Sequence, residues 1–227
     1  MNTAKLALYV LVCGPVILTA MPALAYTVTV YVEGVVTEIY TFDGLEFDGS
    51  LVVGSVMTGF CTYDTETPDQ YPVNTHAAHY SLSSISMQIG SYTCLPNWQG
   101  ESEPVFYISA EPGGFFYNVG SPEALFSGPC YVNGEPANLE DSPGGQFRLM
   151  TLVAGTISPI GDALPDENTF PDLSVFTEDK WFALNSGYTP SFDIFGQITS
   201  VTVVPEPASA IILGLGAVAV ILRRKRR

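Results

Sequence analysis

The chain has 227 residues and a formal net charge of −15, from 23 acidic against 8 basic residues. Lys5 and the run Arg223, Arg224, Lys225, Arg226 and Arg227 hold six of the basic residues, so residues 26–203 carry 22 acidic residues and only Arg148 and Lys180 as cations. A surface of that sign repels phosphate backbones and excludes nucleic acid as a partner of the body, while 47% apolar and 14% charged residues exclude a disordered acidic tail.

Met1 to Lys5 is short and positive, Leu6 to Ala20 is almost continuously apolar, and Ala23-Leu24-Ala25 has the small-x-small pattern that signal peptidase reads. Residues 1–25 are therefore expected to be a cleavable secretory signal, cut after Ala25. Pro15 and Pro22 shorten any helix that would serve as an uncleaved anchor. A lipobox around Cys13 fails on Val12, which is too large for the position before the cysteine. Export places the rest of the chain where thiols tend to be oxidised. Of Cys61, Cys94 and Cys130, the last two sit beside turn-forming residues, so a Cys94 to Cys130 disulfide is expected, with Cys61 a buried thiol on one face with Met57, Gly59 and Tyr63.

From Tyr26 onwards the apolar pattern has period two, with Val28, Val30 and Val32 facing one way and Thr27, Thr29 and Tyr31 the other. Further strands are expected at Val35 to Thr41, Leu51 to Tyr63, Tyr80 to Ile89, Val105 to Ala110, Phe115 to Val119, Phe147 to Thr156 and Phe192 to Val204. Gly and Pro clusters such as Glu111-Pro112-Gly113-Gly114 and Ser142-Pro143-Gly144-Gly145 separate them as turns. In the last strand the apolar phase slips from Phe192, Ile194 and Ile198 to Val201 and Val203, which predicts a bulge between Gly196 and Ser200. No helical period is sustained, so residues 26–203 are expected to be one all-β domain, a single β-sandwich of jelly-roll type.

Chemistry in the body is weakly signalled. His76 and His79 in His-Ala-Ala-His have neither the spacing nor the glutamate of a zinc protease, and exposed loop histidines are the expectation. No Gly-x-Ser-x-Gly elbow is present, and nothing selects a carboxylate pair for glycoside hydrolysis from 22 acids. The loops holding Asp64, Glu66 and Asp69, and Asp162 and Asp166, place hard oxygen donors close together; calcium is the cation they would suit, although neither follows the EF-hand pattern. Trp98, Trp181 and 12 tyrosines offer faces on which sugar rings stack, against their commoner use in a β core. The body is thus expected to be non-enzymatic and to need no cofactor.

Residues 204–227 carry the specific signal. Val204-Pro205-Glu206-Pro207 precedes fifteen uncharged residues, Ala208 to Leu222, and the five-residue basic end. At about 1.5 Å per residue a helix over this run reaches about 22 Å, enough to span if the flanking arginines snorkel. Residues 207–222 are expected to form a transmembrane helix, and Arg223, Arg224, Lys225, Arg226 and Arg227 to stay cytoplasmic and fix its orientation. Proline-glutamate-proline, apolar helix and basic terminus together resemble the PEP-CTERM sorting signal, also named after the C-terminal domain of ice-binding proteins. The resemblance implies a Gram-negative or related bacterium, recognition of Pro205, Glu206 and Pro207 by an exosortase, and removal of the tail from a membrane-anchored intermediate. It further implies delivery to the cell surface or an exopolysaccharide matrix, often in biofilm formers, with signal peptidase and exosortase as processing partners and polysaccharide as a neighbour. The run Gly54 to Asp64 resembles an early strand of such surface proteins and favours the sandwich. An ice face would need a ladder of Thr-x-Thr, and Thr27-Val28-Thr29 stands alone.

Overall fold

The computed structural model describes residues 27–73, 76–97, 103–111, 114–139, 145–155, 163–166, 168–186 and 191–205. The strands in chain order are β1 (Thr27–Thr41), β2 (Leu45–Phe47), β3 (Val56–Asp64), β4 (Ala77–Ser81), β5 (Ser84–Ile89), β6 (Tyr92–Pro96), β7 (Val105–Glu111), β8 (Gly114–Ser127), β9 (Pro129–Val132), β10 (Glu135–Asn138), β11 (Gly145–Ala154), β12 (Asp179–Ser186) and β13 (Phe192–Pro205), with one 3-10 turn at Leu173–Val175. All strand pairs are antiparallel.

The protein is all-β, but its main sheet is a closed eight-stranded barrel and not the expected jelly-roll sandwich. Neighbours follow chain order through β1, β3, β5, β6, β8, β11, β12 and β13, and β13 returns to pair with β1. That is an up-and-down meander, without the crossing connections of a Greek key. Alternation of apolar and polar residues is common to both architectures; what decides between them is the pairing of the first and last strands. β8 is long enough to serve two neighbours along one edge: β7 beside Gly114 to Gly120 and β6 beside Ala124 to Ser127. β4 continues the line of β5 across Leu82 and Ser83, whose amides donate to Pro104 O and Thr62 O. The outer edge of β4 is covered by the loop after β3, where Gln70 N donates to His79 O at 2.8 Å, which protects an edge open to pairing with other chains.

Two bulges coil β1 against β13 so that the barrel can close. The register shifts between Glu33 and Gly34, leaving Thr199 unpaired, and between Val36 and Glu38, leaving Thr37 unpaired. Each unpaired threonine donates its hydroxyl across the seam, Thr199 to Glu33 O at 3.3 Å and Thr37 to Phe195 O at 3.4 Å. The first lies where the apolar phase slip predicts it. Val35 to Thr41 is the second part of β1, not a separate strand, because Gly34 sustains the ladder.

The barrel interior is filled by its own side chains. Val28, Val30, Met57, Cys61, Tyr63, Met87, Tyr117, Leu152, Phe182 and Ile194 are among the buried inward residues; each large apolar side chain removed from water contributes about 1.5–3 kcal/mol. Three glycines make room: a side chain on Gly34 or Gly196 would collide with the ring of Phe182, and one on Gly59 with Leu149. Both ends are plugged. At one end β2, β9 and β10 form a small sheet. Phe47 from it meets Tyr92 and Phe192 edge-on at 5.4 and 5.3 Å, and Tyr92 Oη accepts from Asp48 N at 2.8 Å while donating to Pro129 O. At the other end Phe176 packs on Phe115 and Tyr117 at 5.4 and 5.7 Å, and Tyr63 Oη donates to Pro165 O at 2.7 Å.

Candidate functional site

The sorting motif begins inside the barrel seam. β13 ends at Pro205, whose backbone pairs with Val28 near the start of β1. The chain therefore leaves the barrel wall where β1 enters it, and no spacer separates the closing strand from Glu206. Glu206, Pro207, the expected helix 207–222 and the tail Arg223, Arg224, Lys225, Arg226 and Arg227 lie outside the described residues, as do Ala23, Ala25 and the signal segment. Among the described residues no helix is long and apolar enough to cross a membrane.

The expected Cys94 to Cys130 bridge is not formed. Cys61, Cys94 and Cys130 are all buried free thiols. Cys94 points into the barrel from β6, in phase with Tyr92 and Pro96, whereas Cys130 belongs to the end sheet and donates its thiol to Ala137 O at 3.4 Å. The turn residues beside both cysteines bound short strands and do not place the sulfurs together. Cys61 is the buried thiol expected, inward with Met57 and Tyr63. Burial pushes its pKa up to about 12 and raises those of Cys94 and Cys130, so thiolate chemistry is suppressed at all three.

The acidic loops use their carboxylates on their own backbone. Asp64 Oδ1 accepts from Glu66 N at 2.9 Å, Asp69 Oδ1 from Tyr71 N and His79 N at 2.9 Å each, and Asp166 Oδ1 from Asn168 N at 2.9 Å and Thr169 N at 2.7 Å. The bonds to Glu66, Tyr71, Asn168 and Thr169 are turn-closing bonds of the Asx type, and the bond to His79 N ties the loop to β4. The Thr169 hydroxyl and then the amides of Asn168 and Thr169 hold the Asp166 carboxyl below the usual range. Among the described residues no three His, Cys, Asp or Glu side chains gather as a metal site; Asp162 lies outside them.

His79 is not a loop residue. It sits on β4 with its ring between Tyr71 at 4.6 Å and Tyr107 at 4.5 Å, both edge-on, while His76 is exposed just before the strand. His79 and Tyr107 start a row that sequence reasoning missed. His79, Tyr107, Asn118, Thr151, Trp181 and Gln197 are successive register partners across β4, β7, β8, β11, β12 and β13. Each has a buried inward residue next to it in its strand, Phe182 in the case of Trp181, so the row lies on the outer wall. Trp181 carries the Arg148 guanidinium 5.5 Å above its ring. Beside it a groove of about 190 Å³ is lined by Tyr107, Asn118, Gln146 and Arg148, with Gly120 opposite Arg148. Outward residues of six strands carry the row, so only their alternation within single strands was visible in the sequence. Trp98 lies outside the described residues.

No curated protein and no solved structure matches the chain. Residues 203–227 match the family model of the PEP-CTERM protein-sorting motif, so the matched segment starts two residues before the end of β13. The chain carries a PEP-CTERM sorting motif, the mark of an exported protein that an exosortase processes at the membrane.

Proposed function

We propose that the chain is a non-enzymatic component of the cell surface or extracellular matrix, exported with its signal removed and released from the membrane by exosortase action at Pro205, Glu206 and Pro207. Its β-barrel acts by adhesion or as structure within an exopolysaccharide or biofilm. The observation that carries this reading is the continuity of the barrel seam with the sorting motif: the strand that closes the fold is the strand that enters the sorting segment. The filled barrel interior, the deeply buried thiols and the carboxylates committed to turns support a role for the outer surface over chemistry in a pocket.

The test is localisation in an exosortase-bearing host, with the Glu206→Ala variant beside the natural chain. The natural chain is expected in the matrix fraction and the variant in the membrane fraction. Equal distribution of the two would remove the sorting role. Turnover of any polysaccharide by the purified protein would point instead to a secreted polysaccharide hydrolase. Melting is expected to be unchanged by a chelator, since Asp64, Asp69 and Asp166 spend oxygens on backbone amides; a fall would restore the calcium loops.

A further inference from the structure

The outer groove beside Trp181 differs in charge from the rest of the body. Residues 26–203 hold 22 carboxylates, yet none lines this groove, and one of the only two cations does. Arg148 has no ion pair among the described residues; its recorded partner is the face of Trp181. A guanidinium spread over an indole keeps its in-plane N–H donors, and that planar fork matches a carboxylate bidentately. Gly120 opposite Arg148 admits no side chain, because a Cβ there would stand 2.5 Å from Phe147 O, so the floor stays open and backbone-lined. Tyr107, three strand positions from Trp181 in the same row, stands about 14 Å away at the usual spacing of strands. Asn118 and Gln146 supply neutral donors and acceptors between them. Thr151, also in the row, is 6% exposed and its hydroxyl has no hydrogen-bond partner among the described residues.

An aromatic face at Tyr107, amide side chains at Asn118 and Gln146 and one unpaired fork braced on Trp181 suit a chain of sugar rings that carries carboxylates. At Trp181 the wall changes sign: the next groove is lined by Trp181 itself with Glu38, Glu178 and Asp179 beside Lys180, and Lys180 Nζ is already turned to Leu173 O at 3.2 Å. An acidic ligand is thereby directed from Trp181 towards Tyr107. Repulsion from carboxylates elsewhere is screened over about 8 Å at physiological salt, which leaves Arg148 as the local field. We infer that this groove binds an acidic polysaccharide, a uronate-bearing chain lying across β7, β8 and β11, with a carboxylate on Arg148, held in place by Trp181, and a ring face on Tyr107. The ligand class rests on the matrix reading proposed above.

The experiment is titration of the full chain, purified in a sugar-free detergent, with hexamers of galacturonate and of alginate and with neutral cellohexaose, at low and high salt. At least one uronate hexamer is expected to bind, more weakly as salt rises. Arg148→Gln is expected to weaken it at least tenfold, the scale of a lost charge-assisted pair, with Tyr107→Ala and Asn118→Ala each lowering it severalfold. Lys180→Gln is the control and leaves affinity unchanged, and the melting temperature of Arg148→Gln matches the natural chain. The inference is overturned if neither uronate hexamer binds, if Arg148→Gln binds as the natural chain does, or if cellohexaose is preferred. Loss of the site with the protein still in the matrix fraction leaves the matrix reading intact; uronate binding by a protein that never reaches the matrix overturns that reading and keeps the site.

Discussion

Phe182 occupies the volume that a side chain on Gly196 would need. The two are register partners on β12 and β13, and the ring also covers Gly34 on β1, where an added Cβ would stand 2.9 Å from Phe182 Cε1 and 2.6 Å from Gln197 O. One inward aromatic thus spans the seam at which the sheet closes, and two glycines are the condition for it.

Gly196→Ala is therefore expected to destabilise the barrel by about 1–3 kcal/mol through overpacking, a fall of several degrees in melting temperature for a domain of this size. Phe182→Leu should cost stability alone but less in the presence of Gly196→Ala, since the shortened side chain vacates the contested space. A double-mutant cycle by thermal melting measures the coupling. Strict additivity of the two changes would show that Phe182 does not stand against Gly196.

Thiol reactivity follows from the three isolated cysteines. With Cys61, Cys94 and Cys130 free, buried and raised in pKa, a thiol reagent is expected to modify none in the folded, signal-processed protein at neutral pH. Three should react after unfolding without reductant. A count of one after unfolding would mean that Cys94 and Cys130 are bridged after all.

Much of the architecture was legible in single strands and little of it in their assembly. The inward set Met57, Cys61 and Tyr63 and the slip around Thr199 were readable because both are periodicities within one strand. β12 escaped because its inward residues Phe182 and Leu184 follow a charged start, Asp179-Lys180. β9 and β10 escaped although Asn133 and Gly134, with φ of 52° and 82°, form the left-handed pair that tight hairpins favour; that signal was present and unused. Closure, the end sheet and the Tyr107 to Trp181 row depend on which strands become neighbours, and period-two patterning is silent on that. The sorting motif was fully legible because it is linear.

Acid stability should show the turn carboxylates. Asp166 is held below its ordinary value by Thr169 and the amides of Asn168 and Thr169, and Asp172 by the Ser174 amide. A carboxyl lowered on folding stabilises the fold at pH values above its unfolded value of about 3.9, and that contribution is lost as pH falls through the lowered folded value. Protonating other carboxylates relieves the repulsion of the acidic body and acts in the opposite direction. Melting of Asp166→Asn against the natural chain isolates the first effect: the gap between them should narrow as pH falls below the ordinary carboxylate value of about 3.9. A gap that is constant from pH 7 to pH 2 would mean that Asp166 gains nothing from its turn.

The seam also constrains where the tail can be cut. Val201 and Val203 are half-buried partners of Val32 and Val30, and Pro205 pairs with Val28. Removing residues 201–205 would strip the first residues of β1 of their neighbour on the β13 side, exposing Val28, Val30 and Val32, which are at most 1% exposed in the closed barrel. Lost ladder bonds and apolar burial together would cost on the order of 3 kcal/mol or more. A chain ending at Ser200 is therefore expected to melt well below one ending at Pro205, while the latter matches the full barrel. Exosortase processing that releases a stable protein must accordingly leave Val203 and Val204 in place. Intact-mass measurement of the released chain checks this directly. A C-terminus at or before Ser200 would show that the barrel seam opens during sorting and that β1 finds another partner.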